Sequence, residues 1–257
     1  MDGELLELCA KVADAVGDAL RDFDAWGQRG NRPGQYAADL VADAAALDVL
    51  SGSGVGVLSE ESGARDLDAP FVAVVDPLDG STNASRGVPW YATSVCVVDE
   101  LGPRAAVVAN QVSGVRYSAV RGKGAFKSAA GEGAGDTPIV PSSVARLGDA
   151  IVGLSGYPEA KLGWSQYRAL GAAALDMCLV AEGVLDAYAV VGRSRLGSWD
   201  YLGGLLVCSE AGAAVAEATG RGLVILDHNA RRAPVAAATP ELLDELRSAM
   251  LEASSGG

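Results

Sequence analysis

The sequence predicts a mixed fold of the α/β or α+β class, in which helices pack on β-sheets. Some segments carry apolar residues at three- and four-residue spacing, which is the period of an amphipathic helix. Others are short β-branched runs bounded by turn residues, as strands usually are. In the second half of the chain the two kinds of segment alternate, an order typical of helices layered on sheets. With 257 residues, of which 49% are hydrophobic, the chain can bury a large core.

The first half of the chain is predicted to form two helices followed by a run of strands. The helices are expected over 4–23 and 37–50, with a loop rich in Gly, Asn, Arg and Pro between them. The strands are expected at 55–58, 71–75, 93–98, 104–109 and 115–120. Repeated Gly and Ala over 128–138 predict a flexible joint. We therefore divide one compact unit into an N-terminal half, 1–130, and a C-terminal half, 131–257.

The second half is predicted to alternate between strands and helices. Strands are expected at 151–154, 185–191, 213–217, 223–226 and 234–238, and helices over 165–182 and 199–211. A last helix is expected to begin at Thr239-Pro240, with Thr239 as N-cap and Pro240 at the first helical position. The tail 254–257 is expected to fray.

Composition excludes several classes of function. The formal net charge of −13 and the isoelectric point near 4.5 argue against nucleic acid or an anionic membrane surface as partner. No apolar run reaches the roughly 18 residues of a membrane span, and the acidic N-terminus lacks a secretory signal pattern. The four widely spaced cysteines lie in apolar segments and predict buried, reduced thiols in a cytoplasmic protein. A single histidine argues against zinc chemistry and a Ser-His-Asp relay.

The most informative motif is the run 74–83, Val-Val-Asp-Pro-Leu-Asp-Gly-Ser-Thr-Asn. An apolar strand ends at Asp76, and Asp79 follows three residues later, with the Leu78 carbonyl between the two carboxylates. Oxygen-only ligands of this kind suit hard cations such as Mg²⁺. Gly80 and Ser81 then supply backbone N–H groups that can cradle a phosphate. A capped turn is the alternative interpretation, because Asp, Gly, Ser and Asn are common turn residues.

Two further acidic segments lie at the ends of predicted elements. Glu60-Glu61 follows the strand 55–58, and Trp199-Asp200 opens an apolar helix, where Asp is also a good cap. Three acidic element ends in one chain favour a multi-metal phosphate site over ordinary loops. Haloacid-dehalogenase-like phosphatases also carry an acidic motif after a strand, but theirs is DxDGT. The spacing here, DxxDGS, is one residue longer and would move the second Asp off the acid/base position.

These motifs resemble those of the inositol monophosphatase superfamily of metal-dependent sugar and polyol phosphatases. The matching segments span most of the chain in the order of that family: Glu60-Glu61-Ser62, the run 76–83, the run 168–176, Trp199-Asp200-Tyr201-Leu202-Gly203-Gly204, and Glu210-Ala211-Gly212. The resemblance implies a layered αβαβα sandwich of the inositol monophosphatase and fructose-1,6-bisphosphatase type. It also implies a homodimer and two or three Mg²⁺ ions as cofactor.

The resemblance further implies roles for individual residues. The implied metal ligands are Glu60, Asp76, the Leu78 carbonyl, Asp79 and Asp200, so most of them lie in the N-terminal half. Ser81 and Asp43 are implied to activate the attacking water, with Glu60 as the third catalytic residue, and Gly80 and Ser81 to bind phosphate. The match at Asp43 is the weaker one, because Ala42 stands where the family usually has Thr. Asp79, Ala173 and Asp200 are implied to contact the substrate.

One departure from the family pattern concerns substrate choice. Seven residues before Asp200, where inositol-type members often carry Glu, this chain has Arg193, and Arg195 follows. Because guanidinium groups suit phosphates and carboxylates, we hypothesise that Arg193 or Arg195 reads a second anionic group of the substrate. A solvated loop is the alternative. Arg32, in the loop before the second helix, could border the cleft that holds the substrate, although exposure to solvent on the surface is the simpler interpretation.

The sequence therefore predicts a Mg²⁺-dependent phosphomonoesterase of the cytoplasm, with inositol monophosphate as nominal substrate. Other polyol or sugar phosphates, fructose 1,6-bisphosphate, histidinol phosphate and a 3′-phosphonucleotide remain open. The expected partner is a small phosphomonoester, and neither nucleic acid nor membrane. Two alternatives are not enzymes. One is a non-catalytic relative that binds metal or phosphate as a regulator, and the other is a purely structural dimer.

Overall fold

The computed structural model describes residues 1–129 and 135–255 of the chain. Over these residues it contains six α-helices, α1 Asp2–Arg21, α2 Ala37–Leu50, α3 Ser81–Ser85, α4 Ala173–Ala181, α5 Ser198–Ala211 and α6 Pro240–Ser255, and a 3-10 turn at Leu147–Asp149. The predicted N-cap of the last helix is confirmed, because the Leu242 N–H donates to the Thr239 hydroxyl at 3.2 Å.

The larger sheet contains eight strands in the order β2-β1-β3-β4-β5-β6-β7-β8. Their bounds are β1 Gly56–Ser59, β2 Gly63–Arg65, β3 Val72–Asp79, β4 Ala92–Asp99, β5 Gly102–Asn110, β6 Arg116–Val120, β7 Ala125–Ser128 and β8 Thr137–Pro138. β1 pairs with β3 in parallel, and the remaining neighbours are antiparallel. The parallel pair matters for the site, because the carboxyl ends of β1 and β3 lie at the same edge of the sheet.

The smaller sheet contains five strands in the order β10-β9-β11-β13-β12. Their bounds are β9 Ile151–Ser155, β10 Gln166–Arg168, β11 Ala187–Val190, β12 Ala214–Glu217 and β13 Pro234–Ala237. β9 pairs in parallel with both β10 and β11, while β13 is antiparallel to β11 and β12.

The elements stack in five layers. Helices α1 and α2 pack on one face of the eight-stranded sheet, α4 and α5 lie between the two sheets, and α6 covers the outer face of the smaller sheet. Alternation along β3 divides its side chains between two cores. Ala73 and Val75 belong to the core that contains α1 and α2, and Val72 and Val74 belong to the core that contains α4 and α5. This arrangement confirms the layered αβαβα fold implied by the resemblance.

Two adjacent glycines bring α5 close to both of its neighbours. A Cβ atom on Gly203 would lie 2.6 Å from the Ser94 hydroxyl of β4, and one on Gly204 would lie 2.8 Å from the Met177 Cβ of α4. Side chains at these positions would hold the helix away from the sheet and from α4. The Gly-Gly pair therefore sets the distance at which the start of α5 approaches β3 and β4.

Two predicted elements are wrong in the structure. The helix expected over 165–182 begins only at Ala173, because Gly171 has φ 89°, a left-handed conformation that a helix interior does not contain. Residues 166–168 form the edge strand β10 instead. The strand expected at 223–226 is irregular, since its Leu223 and Ile225 carbonyls accept hydrogen bonds from the Tyr201 and Ser198 hydroxyls of α5.

Part of the predicted joint lies outside the described residues. Positions 130–134 of the predicted joint are not described, so the boundary between the two halves, at residues 130 and 131, stays a prediction. The fraying expected for the last two residues also stays a prediction. The four cysteines are free and buried, as expected. None of the helices in the described part of the chain combines the length and apolar character needed to cross a bilayer.

Candidate active site

Three carboxylates gather where β1, β3 and α5 meet. Glu60 follows the last residue of β1, Asp76 lies near the end of β3, and Asp200 lies in the first turn of α5. A carboxylate oxygen of each lies within 4.8 Å of the others. The parallel pairing of β1 and β3 accounts for two of the three, and the close approach of α5 accounts for Asp200.

A bulge at the end of β3 sets the direction of the motif residues. Asp76 pairs with Ser94 and Asp79 with Ala92, so β3 carries an extra residue relative to β4. Pro77 lies in this bulge, and its carbonyl accepts a 2.9 Å hydrogen bond from the Thr93 hydroxyl. Pro has no N–H to donate to a ladder, so an irregular position of this kind suits it.

Asp79 lies beside the three-carboxylate group and faces the start of α4. Its Oδ1 accepts the Ala173 N–H at 3.1 Å, and its Oδ2 accepts the Ala174 N–H at 2.8 Å. The first N–H groups of a helix have no partner within the helix, and they carry partial positive charge. Asp79 therefore both orients the 172–174 segment and is held by it.

Asp200 has one carboxylate oxygen engaged as a helix cap. Its Oδ2 accepts the Gly197 N–H at 2.7 Å, so the capping interpretation of this residue is correct for that oxygen. An Asp offers two oxygens with about four lone-pair sites. Asp200 can therefore cap α5 and face Glu60 and Asp76 at the same time.

Burial, complete or partial, and then mutual repulsion raise the pKa values of these carboxylates. Burial, followed by repulsion from Asp200, raises the pKa of Glu60 to about 8. Burial and the Glu60 charge raise the pKa of Asp76 well above its usual range. Burial raises the pKa of Asp79 to about 8, and burial with the Asp79 charge raises the pKa of Asp200 to about 7.

This concentration of negative charge fits divalent cations. Within residues 1–129 and 135–255, no Lys or Arg lies within ion-pair distance of the carboxylates of Glu60, Asp76, Asp79 or Asp200. Buried carboxylates without a basic partner are unfavourable unless they are protonated or coordinate metal. Because all the donors are oxygens, the group suits a hard ion such as Mg²⁺.

The carboxylate beside Ser81 is Asp39 rather than Asp43. Asp39 lies in the first turn of α2, where it caps the Tyr36 N–H at 2.7 Å. Burial raises the pKa of Asp39 to about 6, and hydrogen bonds, including one from the Ser81 side chain, oppose that rise. Asp43, one helical turn further on, accepts hydrogen bonds from the Ser59 and Ser62 hydroxyls at 2.5 and 3.3 Å. Asp39 therefore lines the same cavity as Ser81 and Asp43 does not, while the catalytic role expected of Asp43 stays a prediction.

Gly80 is the residue that permits the turn between β3 and α3. It has φ 87°, and a Cβ there would lie 3.0 Å from the Trp90 carbonyl and 3.1 Å from the Gly171 carbonyl. No other residue fits such a position without strain. The turn places Ser81 at the first position of α3, next to the carboxylate group.

Two cavities open on the carboxylates. The first, which we call the Ser81 cavity, has a volume near 270 Å³ and is lined by Arg32, Pro33, Gly34, Gln35, Asp39, Glu60, Glu61, Ser81, Trp199, His228 and Arg231. The second, the Asp79 cavity, has a volume near 260 Å³ and is lined by Asp79, Leu154, Ser155, Gly156, Ala169, Gly171, Ala173, Leu196 and Asp200. Ala173, Asp79 and Asp200 therefore line one of these cavities, and Ser81 lines the other.

Sequence reasoning missed most of the basic wall of the Ser81 cavity. His228 Nε2 donates to the Glu60 carbonyl at 3.0 Å, because that oxygen can only accept. Its ring lies 4.7 Å from the Trp199 ring, over which the Arg231 guanidinium lies at 5.0 Å. Arg32 donates to the same Glu60 carbonyl at 3.0 Å and to Glu61 at 2.6 Å. The segment containing His228 and Arg231 has no spacing or motif that would have indicated this contact.

Arg193 and Arg195 lie in neither of the two cavities. The Arg193 side chain is 98% exposed, and its nearest acidic partner is Glu159 at 3.8 Å. Arg195 donates to the carbonyls of Gly192 and Ser194 and lines a different cavity, beside Glu217 and Arg221. For Arg193 this position agrees with the solvated-loop alternative, and the hypothesis that either arginine reads a second anionic group of the substrate stays untested.

Comparisons with known proteins show which family this chain resembles. The sequence model of the inositol monophosphatase family matches residues 7–254. A fructose-1,6-bisphosphatase/inositol-1-monophosphatase of Archaeoglobus fulgidus is 34% identical over 191 residues, which cover 73% of this chain and 71% of that protein. An inositol-1-monophosphatase of Mesorhizobium japonicum is 32% identical over 218 residues, covering 76% and 77% of the two chains.

Solved structures show the same fold. The crystal structure of an extragenic suppressor protein from Bartonella henselae aligns with a TM-score of 0.80 at 27% identity, covering 96% of this chain and 98% of that one. The agreement therefore extends over almost the whole molecule. The chain belongs to the inositol monophosphatase family, whose members are phosphatases that hydrolyse phosphoric monoesters.

Proposed function

We propose that this phosphatase hydrolyses the monophosphate ester of a small polyol or sugar in a Mg²⁺-dependent reaction, with inositol monophosphate as nominal substrate. The observation that carries the proposal is a group of carboxylates, with Asp76 and Asp79 buried and Glu60 and Asp200 half-buried, that form no ion pair with Lys or Arg among the described residues. The name of the Mesorhizobium relative supports the nominal substrate.

The proposed metal ligands are Glu60, Asp76, Asp79, Asp200 and the Leu78 carbonyl, which would hold two or three Mg²⁺ ions. When bound, these ions would lower the pKa of a water molecule and offset the negative charge that develops on phosphate and leaving group. The chain's own residues then orient the substrate and move protons.

Ser81 and Asp39 are proposed to deprotonate the attacking water. Ser81 and Asp39 line the same cavity, and the Ser81 side chain lowers the pKa of Asp39, so the Ser81 oxygen would accept a proton from water while its own proton passes to the carboxylate. A pKa near 6 suits Asp39 as a base close to neutral pH. Asp39 replaces Asp43 in this role, and Gly80 and Ser81 remain the predicted donors to the phosphoryl oxygens.

The two cavities suggest how the reaction is oriented. Because Asp39 and Ser81 line the Ser81 cavity, water would attack phosphorus from that side. The alcohol would then lie in the Asp79 cavity, on Ala173. The water oxygen bonds to phosphorus, the bond from phosphorus to the alcohol oxygen breaks, and that oxygen takes a proton from solvent. The products are inorganic phosphate and the free alcohol.

A panel of phosphomonoesters, incubated with Mg²⁺ or with EDTA, tests the proposal. We expect phosphate release with Mg²⁺ and none with EDTA. Asp79→Asn and Asp200→Asn should each abolish turnover in a folded protein, whereas Asp68→Asn, at an exposed position, should not. Absence of phosphate release from every ester would favour the alternative of a non-catalytic regulator.

Fructose 1,6-bisphosphate is the second candidate substrate, because the Archaeoglobus relative is named for activity on both esters. Histidinol phosphate and a 3′-phosphonucleotide stay on the panel as further members. We also propose that the enzyme is a cytoplasmic homodimer that acts on small molecules, without a nucleic acid or membrane partner. Light scattering coupled to size-exclusion chromatography tests the dimer, and a monomeric mass would contradict it.

A further inference from the structure

We propose that the enzyme carries a second ligand site, separate from the carboxylates, which takes a small molecule with an apolar body and a single carboxylate group. The ligand acts as an effector, because its binding lowers KM for the phosphomonoester. The site itself goes beyond the proposed function, whereas the effect on KM rests on that function.

The site is a third cavity, which we call the Arg195 cavity, with a volume near 120 Å³. Residues of four segments line it: 158–162, 190–195, 217–221 and the last turns of α6. It shares no lining residue with the Asp79 cavity or the Ser81 cavity. Much of its lining is apolar and includes Leu162, Val190 and Met250. Because an apolar cavity of about 150 Å³ can bind benzene, the space suits a ligand body of about six carbons.

The ion pair of Glu217 and Arg221 gives one wall of the Arg195 cavity a fixed shape. The buried Glu217 carboxylate accepts hydrogen bonds from the Ala233 N–H, from the Thr219 N–H and hydroxyl, and from the backbone and guanidinium of Arg221. These bonds hold the Arg221 guanidinium at the cavity and compensate the Glu217 charge. The pair therefore adds polar groups to the wall without adding net charge.

Arg195 supplies a positive charge that no carboxylate compensates. Its Nη1 donates to the Gly192 and Ser194 carbonyls at 3.0 and 2.5 Å, which holds the guanidinium against its own loop. Within residues 1–129 and 135–255, no carboxylate lies within ion-pair distance of Arg195. Glu159, the other acidic residue of the lining, is 70% exposed and lies 3.8 Å from Arg193, so solvent and that arginine weaken its repulsion of an anion. A single carboxylate would therefore gain charge-assisted hydrogen bonds from Arg195.

The segment 191–197 connects the Arg195 cavity with the proposed substrate cavity. Arg195 lines the first, and the next residue, Leu196, lines the Asp79 cavity. The Gly197 N–H that follows is capped by Asp200, a proposed metal ligand. A ligand that binds the Arg195 cavity as it stands stabilises this conformation of the segment, in which Leu196 also lines the substrate cavity. Effector and substrate therefore favour the same conformation, and the effector lowers KM.

Calorimetric titration with benzoate, benzyl alcohol and benzylamine tests the class of ligand, because the three share a ring and differ in charge. The full chain is used metal-free, so that benzoate cannot bind to Mg²⁺. We expect benzoate to bind with a Kd of about 1 mM or tighter. The other two should bind about tenfold more weakly, because neither brings a negative charge to Arg195. Benzoate that does not bind, or binds no more tightly than benzyl alcohol, would overturn the proposal.

The two arginines of the 191–197 segment provide matched variants for the same titration. Arg195→Gln removes the charge that lines the cavity and should weaken benzoate binding about tenfold. Arg193→Gln, at a 98% exposed position outside the lining, should leave the Kd for benzoate unchanged. Equal affinities of these two variants would overturn the proposal.

A second pair of variants tests the location of the site. Ala253 lines the cavity at an exposed position of α6, so Ala253→Phe should occupy part of the space and weaken benzoate binding about tenfold or more. Glu252→Phe adds the same ring at an exposed neighbouring position outside the lining and should leave the Kd unchanged. Circular dichroism and thermal melts check that all four variants fold. Unweakened binding in Ala253→Phe would overturn the proposal.

Steady-state kinetics test the effect on KM, with the phosphomonoester that the protein hydrolyses fastest and with saturating Mg²⁺. Saturating benzoate should lower KM about fivefold with little change in kcat. The response should persist in Arg193→Gln and disappear in Arg195→Gln. An unchanged or raised KM in protein that binds benzoate would overturn the proposal. Absence of turnover from every ester would instead contradict the proposed function, and the calorimetry would then decide the existence of the site.

Discussion

Asp79 and Ala174, 95 positions apart in the chain, are joined by a 2.8 Å hydrogen bond from the Ala174 N–H to the Asp79 carboxylate. A second bond runs from the Ala173 N–H to the other oxygen of the same carboxylate. The end of a strand in the larger sheet is thereby locked to the first turn of α4. Because Ala173 also lines the Asp79 cavity, this pair of bonds sets the position of the cavity wall relative to the proposed metal ligands.

Removing one of these donors should impair catalysis without unfolding α4. Ala173 is the first residue of the helix, where Pro is well tolerated, and Ala172 has the extended backbone that precedes Pro (φ −139°, ψ 98°). We expect Ala173→Pro to lower kcat/KM about tenfold, because Asp79 loses one bond that orients it. Ala173→Gly keeps the N–H and is the control. Steady-state kinetics that rank the two variants equally would show that the Asp79–Ala173 bond is dispensable.

The stability of the metal-free protein should fall as the pH rises. The pKa values of Glu60, Asp79 and Asp200 are raised in the folded state to about 8, 8 and 7. A carboxyl whose folded pKa is raised contributes stability that is complete below its unfolded pKa and is lost as pH climbs through the folded value. With EDTA, we therefore expect a higher Tm at pH 6 than at pH 9.

Added Mg²⁺ should reverse this dependence. Metal ligands bind in their deprotonated form, so Mg²⁺ should raise Tm more at pH 9 than at pH 6. Asp200→Asn removes one of the mutually repelling carboxylates and should weaken both effects. A metal-free Tm that is flat or rises between pH 6 and pH 9 would argue that the carboxylates are already compensated within the protein.

Asp39 and Asp43 can be separated by their kinetic signatures. Asp39→Asn should lower kcat about 100-fold or more with little change in KM, because it removes the proposed proton acceptor. Asp43→Ala should act mainly on stability. It leaves the buried Ser59 hydroxyl without its acceptor and should therefore lower the free energy of unfolding by ~1–3 kcal/mol. Denaturant unfolding and steady-state kinetics measure the two effects. The opposite pattern would return the catalytic role to Asp43.

Gly203 should be intolerant of even one methyl group. A Cβ there would lie 2.6 Å from the Ser94 hydroxyl and 3.1 Å from a Val108 methyl, so α5 would have to move from the sheet. We expect Gly203→Ala to lower the free energy of unfolding by ~1–3 kcal/mol, or roughly 2–4 °C of Tm per kcal/mol. Gly3→Ala, in the exposed first turn of α1 with open space around it, is the control and should stabilise by ~0.5–1 kcal/mol. Equal Tm values for the two variants would contradict the packing argument.

Many of the helices and strands, and the acidic motif at the end of β3, were predictable because their signals are local. The strand, its terminal Asp76 and the residues Asp79 and Gly80 form one continuous motif, and the turn chemistry of that motif depends on neighbouring residues only. Helix periodicity located α2 but not which of Asp39 and Asp43 faces Ser81, because the two residues differ by a single helical turn. The strand β10 was missed for a related reason, since its three residues form a strand only by pairing with β9.

Periodicity in the sequence predicted helices packed on sheets, because it is a property of short segments. The resemblance of the sequence motifs to those of the family implied the layered fold, the four acidic residues of the proposed site and the class of chemistry. Only the tertiary structure decided which side chains share a cavity. Arg193 lies seven positions from Asp200 and yet faces solvent, whereas His228, 168 positions from Glu60, donates to its carbonyl. The directions of side chains leaving irregular loops depend on packing between distant elements, and spacing along the chain does not encode them.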